Sequence, residues 1–197
     1  MKRIGIYLFD EVEVLDFAGP FEVFSVAAQL RDHKEHQVIT FSDKGTTITA
    51  VNGLSVNPDT SLFEVEDFDY LIIPGGQGSN AVIKNKESMA KLDELIDASK
   101  WTMSVCSGSR VLGVLGYLKG RKYCTHHQVY SSMAEIIPTG DPQPDMRFVQ
   151  AADGIFTSAG ISAGIDLSFY LLEATFGKEL ASETAEYMEY LPYLQKT

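Results

Sequence analysis

Apolar runs of strand length recur along this chain, and most are followed by a stretch patterned as a helix. Ile4–Phe9 precedes a helical pattern over Pro20–Leu30; Gln37–Ser42 and Tyr70–Pro74 are two more such runs. Ser88–Ala98 places Met89, Leu92, Leu95 and Ile96 on one helical stripe and leads into the run Trp101–Val105. Strands that are apolar on both faces need cover on both faces, so the alternation predicts an α/β protein with a mostly parallel sheet between two helical layers.

Several segments depart from that rhythm. Thr46–Val56 contains Asn52-Gly53 between β-branched residues, which predicts an antiparallel appendage closed by a type I′ turn. Arg121–Thr125 reads as a short strand and Gln128–Ile137 as a helix stopped by Pro138. Met146–Gln150 and Ile155–Ser158, joined across Asp153-Gly154, read as a second hairpin or a bulged sheet edge. Ser162–Phe176 is a helix with Ser162 as its cap and Gly177 as its stop, followed by a helix over Lys178–Met188. Tyr187–Tyr193 holds three tyrosines and is expected to pack on the body or on a second subunit.

The composition narrows the class of function. With 197 residues, 45% of them hydrophobic, one domain over residues 1–197 with a sizeable core is expected. Sixteen Lys and Arg against 27 Asp and Glu give a net charge of -11, and the basic residues form no stripe, so nucleic acid is not an expected partner. No run approaches a membrane span and the N-terminus does not read as a signal peptide. Two cysteines without metal-ligand spacing predict a reducing, cytoplasmic setting and no disulfide framework. No Walker A or first-turn G-x-G-x-x-G pattern is present, so no nucleotide cofactor is expected.

Ligands of open parallel sheets collect at the carboxyl ends of the strands. Three segments lie there: Asp10–Pro20 with Asp16 embedded between Leu15 and Phe17, the turn Pro74-Gly75-Gly76-Gln77-Gly78, and Cys106. Cys106 follows a buried strand and opens a helix, where unpaired N–H groups and the helix dipole favour a thiolate. Such sites bring thiol pKa values down to roughly 3.5 to 7.5. In the functional reading Cys106 attacks, the N–H groups of Gly76 and Ser107 steady developing negative charge, and Asp16 moves a proton. The alternatives are a structural cysteine, an ordinary Gly-Gly turn and a helix-capping or solvated Asp16. Gly160-Ile161-Ser162-Ala163-Gly164 resembles another strand-to-helix entry that walls the pocket, or else is a plain glycine-rich helix start.

The histidines are less telling. His126 and His127, adjacent on a strand, would face opposite ways, so no metal site is expected; His126 lines the pocket or is a buried structural histidine. His33 and His36 fall in the charged stretch Arg31–His36 and read as solvated, and Cys124 reads as an inert core residue.

Four motifs in order, Leu15-Asp16-Phe17-Ala18-Gly19-Pro20, Ile73-Pro74-Gly75-Gly76, Ser104-Val105-Cys106-Ser107-Gly108 and Gly160–Asp166, resemble the ThiJ/PfpI superfamily, and within it the isonitrile hydratase-like branch. That resemblance implies a flavodoxin-like or class I glutamine-amidotransferase-like three-layer sandwich with a nucleophile-elbow cysteine, usually as a homodimer. It places the nucleophile on Cys106, its acidic partner on Asp16 and the backbone-donor turn on Gly75-Gly76; Thr125-His126 matches a pair found in this branch. Protease-like members carry histidine directly after the cysteine, and Ser107 stands there in this chain. The implied activity is hydration of a small-molecule isonitrile to an N-substituted formamide. Alternatives are glyoxalase or deglycase-like action on reactive carbonyls, or a non-catalytic sensor in which Cys106 oxidises and Asp16 hydrogen-bonds the sulfinate.

Overall fold

The computed structural model describes residues 1–191. Strand β1 (Lys2–Leu8) leads through helix α1 (Val14–Gln29) to β2 (His36–Ser42). Short strands β3 (Ile48–Thr49), β4 (Ser55–Val56) and β5 (Thr60–Ser61) precede β6 (Tyr70–Ile73). Helices α2 (Ser79–Val82) and α3 (Lys86–Ala98) carry the chain to β7 (Trp101–Val105), a 3-10 turn at Cys106–Gly108, and α4 (Ser109–Val114). Then come β8 (Lys122–Tyr123), α5 (Tyr130–Ile136), β9 (Asp141–Pro142), β10 (Phe148–Ala152), β11 (Ile155–Ser158), α6 (Ala163–Phe176) and α7 (Lys178–Tyr187).

The main sheet runs β10-β11-β7-β6-β1-β2-β5. Every neighbouring pair is parallel except β10 with β11, whose antiparallel register is broken by a bulge between Gln150 and Ala152. β6, β7 and β11 are buried along their whole length, as continuous apolar runs between two helical layers must be. The result is the three-layer, flavodoxin-like α/β sandwich, with α1, α6 and α7 packed on one another and α4 set against α2 and α5. Trp101 ties β7 to the first group, its ring 5.8 Å from that of Phe24 and its Nε1–H donating to Thr175 Oγ1 at 3.0 Å.

Several local expectations are corrected. α1 begins at Val14, six residues before Pro20. Proline inside a helix removes one backbone donor, but burial of Phe17, Val23, Phe24 and Ala27 on the same helix outweighs that loss. The expected cap Ser162 makes no capping bond; its hydroxyl accepts from the Arg147 guanidinium, which also pairs with Asp166. The Asn52-Gly53 appendage forms, and both residues adopt the left-handed conformation, but the connection also includes Val51 and closes on an Ala50 N–H to Leu54 O bond. His36 is wholly buried, not solvated: its Nε2 bonds Phe24 O at 2.8 Å and its ring lies 4.4 Å from Phe176. The first residue of β2 must enter the space between α1 and α6, and burial holds its pKa below the usual histidine value. Tyr190 of the tyrosine-rich stretch stacks on Phe169 and donates to Asp166 at 2.6 Å, while Pro192 and Tyr193 lie outside the described residues.

Candidate active site

β1, β6, β7 and β11 are neighbours, so their carboxyl ends share one rim. Onto that rim β1 delivers Glu13 and Asp16, β6 delivers Gly75-Gly76, β7 delivers Cys106 and β11 delivers Gly160-Ile161. Of the seven non-glycine residues with positive φ among the described residues, Glu11 (59°), Cys106 (57°) and Ile161 (46°) stand here. A β-branched residue in that region is strained by roughly 1–3 kcal/mol. The strain at Ile161 has a visible use: its N–H and that of Ser107 both address the Cys106 sulfur.

Cys106 is nearly buried, and its backbone is pinned on both sides. Its N–H donates to Ala159 O at 3.3 Å, and its carbonyl accepts the Thr125 hydroxyl at 2.9 Å. Ser109, beside it, is hydrogen-bonded to the same threonine at 2.8 Å. Thr125 thus holds the elbow; the sequence marks Thr125-His126 as a pair but not this contact with Cys106, because the two residues are distant in the chain.

Asp16 sits in the first turn of α1 with no exposure to solvent, not in a loop and not as a cap. Its Oδ2 accepts the Gly75 N–H at 3.1 Å, its Oδ1 has no hydrogen-bond partner among the described residues, and the carboxyl lies close enough to Cys106 to influence the ionisation of the thiol. A Cβ on Gly75 would lie 2.5 Å from Ser107 N and 2.9 Å from Asp16 Oδ2, so glycine is what lets these three segments close up. Burial raises the Asp16 pKa to about 7, against the pull of its bonds to Cys106 and Gly75.

The expectation of a low thiol pKa is corrected. Burial, followed by the Asp16 charge, pushes Cys106 up to about 12, outweighing the Ser107 and Ile161 N–H donors. α4 proper starts three residues later, at Ser109, so its dipole is not centred on the sulfur. Above a pH of about 7 the carboxyl is ionised while the thiol keeps its proton.

The Gly-Gly turn is also used differently from expectation. Gly76 N–H donates to Ser107 Oγ at 2.9 Å and Gly75 N–H is taken by Asp16, so neither is free for a ligand. A cavity of about 330 Å³ opens over Cys106, walled by Glu13, Gln77, Arg110, His126 and Ile161. A second, of about 430 Å³, shares His126 and Ile161 with it and extends along His127, Tyr130 and Pro144. His126 and His127 lie in the turn after β8, not on a strand, and their rings come within 4.2 Å instead of diverging. His126 is half-buried, its pKa lowered by burial and then by its neighbour, and it packs against Gly160. Glu13 and Arg110 join the site without having been marked from sequence, and Thr125, marked there only as half of the Thr125-His126 pair, joins it through the Cys106 carbonyl. Among the described residues no cluster of His, Cys, Asp and Glu has the arrangement to hold a metal ion, and no helix is long and apolar enough to cross a membrane.

Comparison with known proteins adds the following. The DJ-1/PfpI family profile matches residues 2–174. An isonitrile hydratase from Pseudomonas putida is 30% identical over 96% of this chain and 79% of its own length. The HTH-type transcriptional regulator GbdR from Pseudomonas aeruginosa is 26% identical over 96% of this chain, which spans about half (51%) of that regulator. The crystal structure of a ThiJ/PfpI family protein from Pseudomonas syringae superposes with a TM-score of 0.85 at 25% identity, covering 96% of this chain and 75% of that one.

Proposed function

The chain belongs to the DJ-1/PfpI family, and from that premise we propose that it is a cysteine enzyme hydrating an isonitrile to an N-substituted formamide, with Cys106 as nucleophile and Asp16 as general acid and base. The observation that carries this reading is the Asp16 carboxyl, wholly buried, raised to about 7 and close enough to Cys106 for each to shift the other's ionisation. Likeness to the P. putida hydratase over nearly the whole chain supports the choice of substrate class.

In this mechanism Asp16 takes the thiol proton, and the thiolate forms beside the Ser107 and Ile161 N–H groups. Sulfur bonds to the terminal isonitrile carbon while Asp16 returns the proton to that same carbon, giving a thioimidate. The Asp16 carboxylate next accepts a proton from water as the water oxygen bonds to the carbon, and passes that proton to the imine nitrogen. Collapse of the tetrahedral adduct breaks the carbon–sulfur bond and releases the formamide, the hydroxyl proton returning through Asp16 to the sulfur. The net change is one isonitrile plus one water to one formamide, with the carboxyl–thiol pair restored. Gly75 contributes by holding one carboxyl oxygen, which leaves the other to exchange the proton.

The test is formamide formation from a panel of aliphatic and aromatic isonitriles, followed by mass spectrometry, with a Cys106→Ala control. Turnover by the native chain and none by the variant is expected. A native chain whose Cys106 alkylates readily yet turns over no isonitrile in the panel would remove the hydration step.

A further inference from the structure

Arg110 lies four residues after Cys106, on α4, and walls the same cavity. It is half-buried, and among the described residues it forms no ion pair. Its guanidinium donates to two neutral hydroxyls, Ser79 Oγ at 2.9 Å and Ser132 Oγ at 3.5 Å. Ser79 is itself wholly buried and anchored to Gly76 O at 2.7 Å, so the guanidinium hangs from a fixed point. Arg3, Arg31 and Arg147 each meet a carboxylate at the surface. A positioned, partly desolvated cation without a counter-ion costs stability unless something else supplies the charge.

The cavity is polarised. Glu13 is the acid on the other part of its wall, and its charge is felt by Asp16 and His126, whereas the charge that acts on Arg110 is that of Cys106. An anionic group entering beside Cys106 therefore finds its partner on the α4 side. Five donors in a planar fork suit the two oxygens of a carboxylate, and a dianion such as phosphate would be repelled more strongly by Glu13.

We propose that Arg110 binds a carboxylate, so that the molecule attacked by Cys106 carries one a few atoms from its electrophilic carbon. The inference rests on the reading of Cys106 as nucleophile and names the substrate class of that site. If hydration is the reaction, the favoured isonitriles are isocyano acids and not their esters.

Iodoacetate and iodoacetamide differ in little but charge, and both alkylate a thiolate with loss of iodide. The experiment measures their rates at Cys106 by peptide mass spectrometry, as a ratio referenced to N-acetylcysteine in the same buffer. A change in thiolate population cancels in the ratio. The native chain is expected to favour iodoacetate by about tenfold or more over the free thiol, as a charge-assisted hydrogen bond implies. Arg110→Gln should bring the ratio back to the free-thiol value, and Arg110→Lys should keep part of the preference. A native ratio equal to that of N-acetylcysteine, or one unchanged in Arg110→Gln, overturns the inference; the native ratio decides even if a variant fails to fold. Isocyanoacetate and its methyl ester supply the second arm. A preference for iodoacetate without turnover of either compound leaves carboxylate binding standing and removes hydration, whereas turnover of both at equal kcat/KM removes the role of Arg110.

Discussion

Cys106 and Cys124 are both buried thiols, and burial raises both, to about 12 and about 11. Their surroundings are opposite in kind. The Cys124 sulfur donates to the carbonyls of Gln143 and Met146, each at 3.5 Å, so its neighbours stabilise the thiol. The Cys106 sulfur meets two backbone N–H groups and a carboxyl that can take its proton, under an open cavity. Donors favour a thiolate and acceptors a thiol. The two sulfurs thus differ less in depth than in what faces them, a carboxyl, inward-turned N–H groups and a cavity at Cys106 against carbonyl acceptors at Cys124, and the left-handed φ at Cys106 and Ile161 accompanies that arrangement.

The largest expected effect separates the two thiols by mutation. Cys106→Ala should lower kcat/KM for isonitrile hydration by about 10⁴-fold or more. Cys124→Ala should leave the rate within about twofold and cost about 1 kcal/mol of stability through the lost packing. A large rate loss at Cys124 would erase the contrast, since it would mean that the acceptor-lined thiol also serves the chemistry.

Next in size is the proton partner that Cys106 has and Cys124 lacks. Asp16→Asn should lower kcat by about 10²- to 10⁴-fold. The reactive form of the native pair holds one proton, so kcat/KM should rise with pH through about 7, where Asp16 ionises, and then level off, because the second proton leaves only at about 12. That limb near 7 should vanish in the variant. If Asp16→Asn retained it, the limb would belong to another group and Asp16 would lose its role.

The meeting of Asp16, Gly75-Gly76 and Cys106 at one rim is legible in the chain, because continuous apolar runs reveal parallel strands and parallel strands present their carboxyl ends together. What is not legible depends on packing. Pro20 reads as a helix start, and only the burial of residues on both sides of it shows that the helix begins at Val14. His36 sits among charged residues yet points into the core. The free amide of Gly76 is lost to a serine thirty-one positions away; Ile161 is expected in the pocket from sequence, but not the conformation that turns its N–H toward the sulfur, which no propensity rule assigns to isoleucine. Arg110 is one of sixteen basic residues, and its lack of a counter-ion exists only in three dimensions.

A smaller effect, on stability, tests the same asymmetry without any substrate. The folded chain keeps the Asp16 proton up to a pH of about 7, whereas the unfolded chain releases it near the ordinary aspartate value of 3.8. A raised folded pKa contributes stability that is fully present below the unfolded value and is lost as pH rises through the folded one. Between pH 4 and pH 8 the native chain should therefore lose about 2–4 kcal/mol from this group. Asp16→Asn has no proton to release, so it should gain on the native chain across that interval, read as urea midpoints at pH 4, 6 and 8. Burial is what raises Cys124, and among the described residues no carboxyl contributes, so Cys124→Ala should shift the midpoint equally at all three values. A constant offset for Asp16→Asn would mean that the carboxyl is not held protonated near neutrality, and the proton-sharing distinction between the two thiols would fall with it.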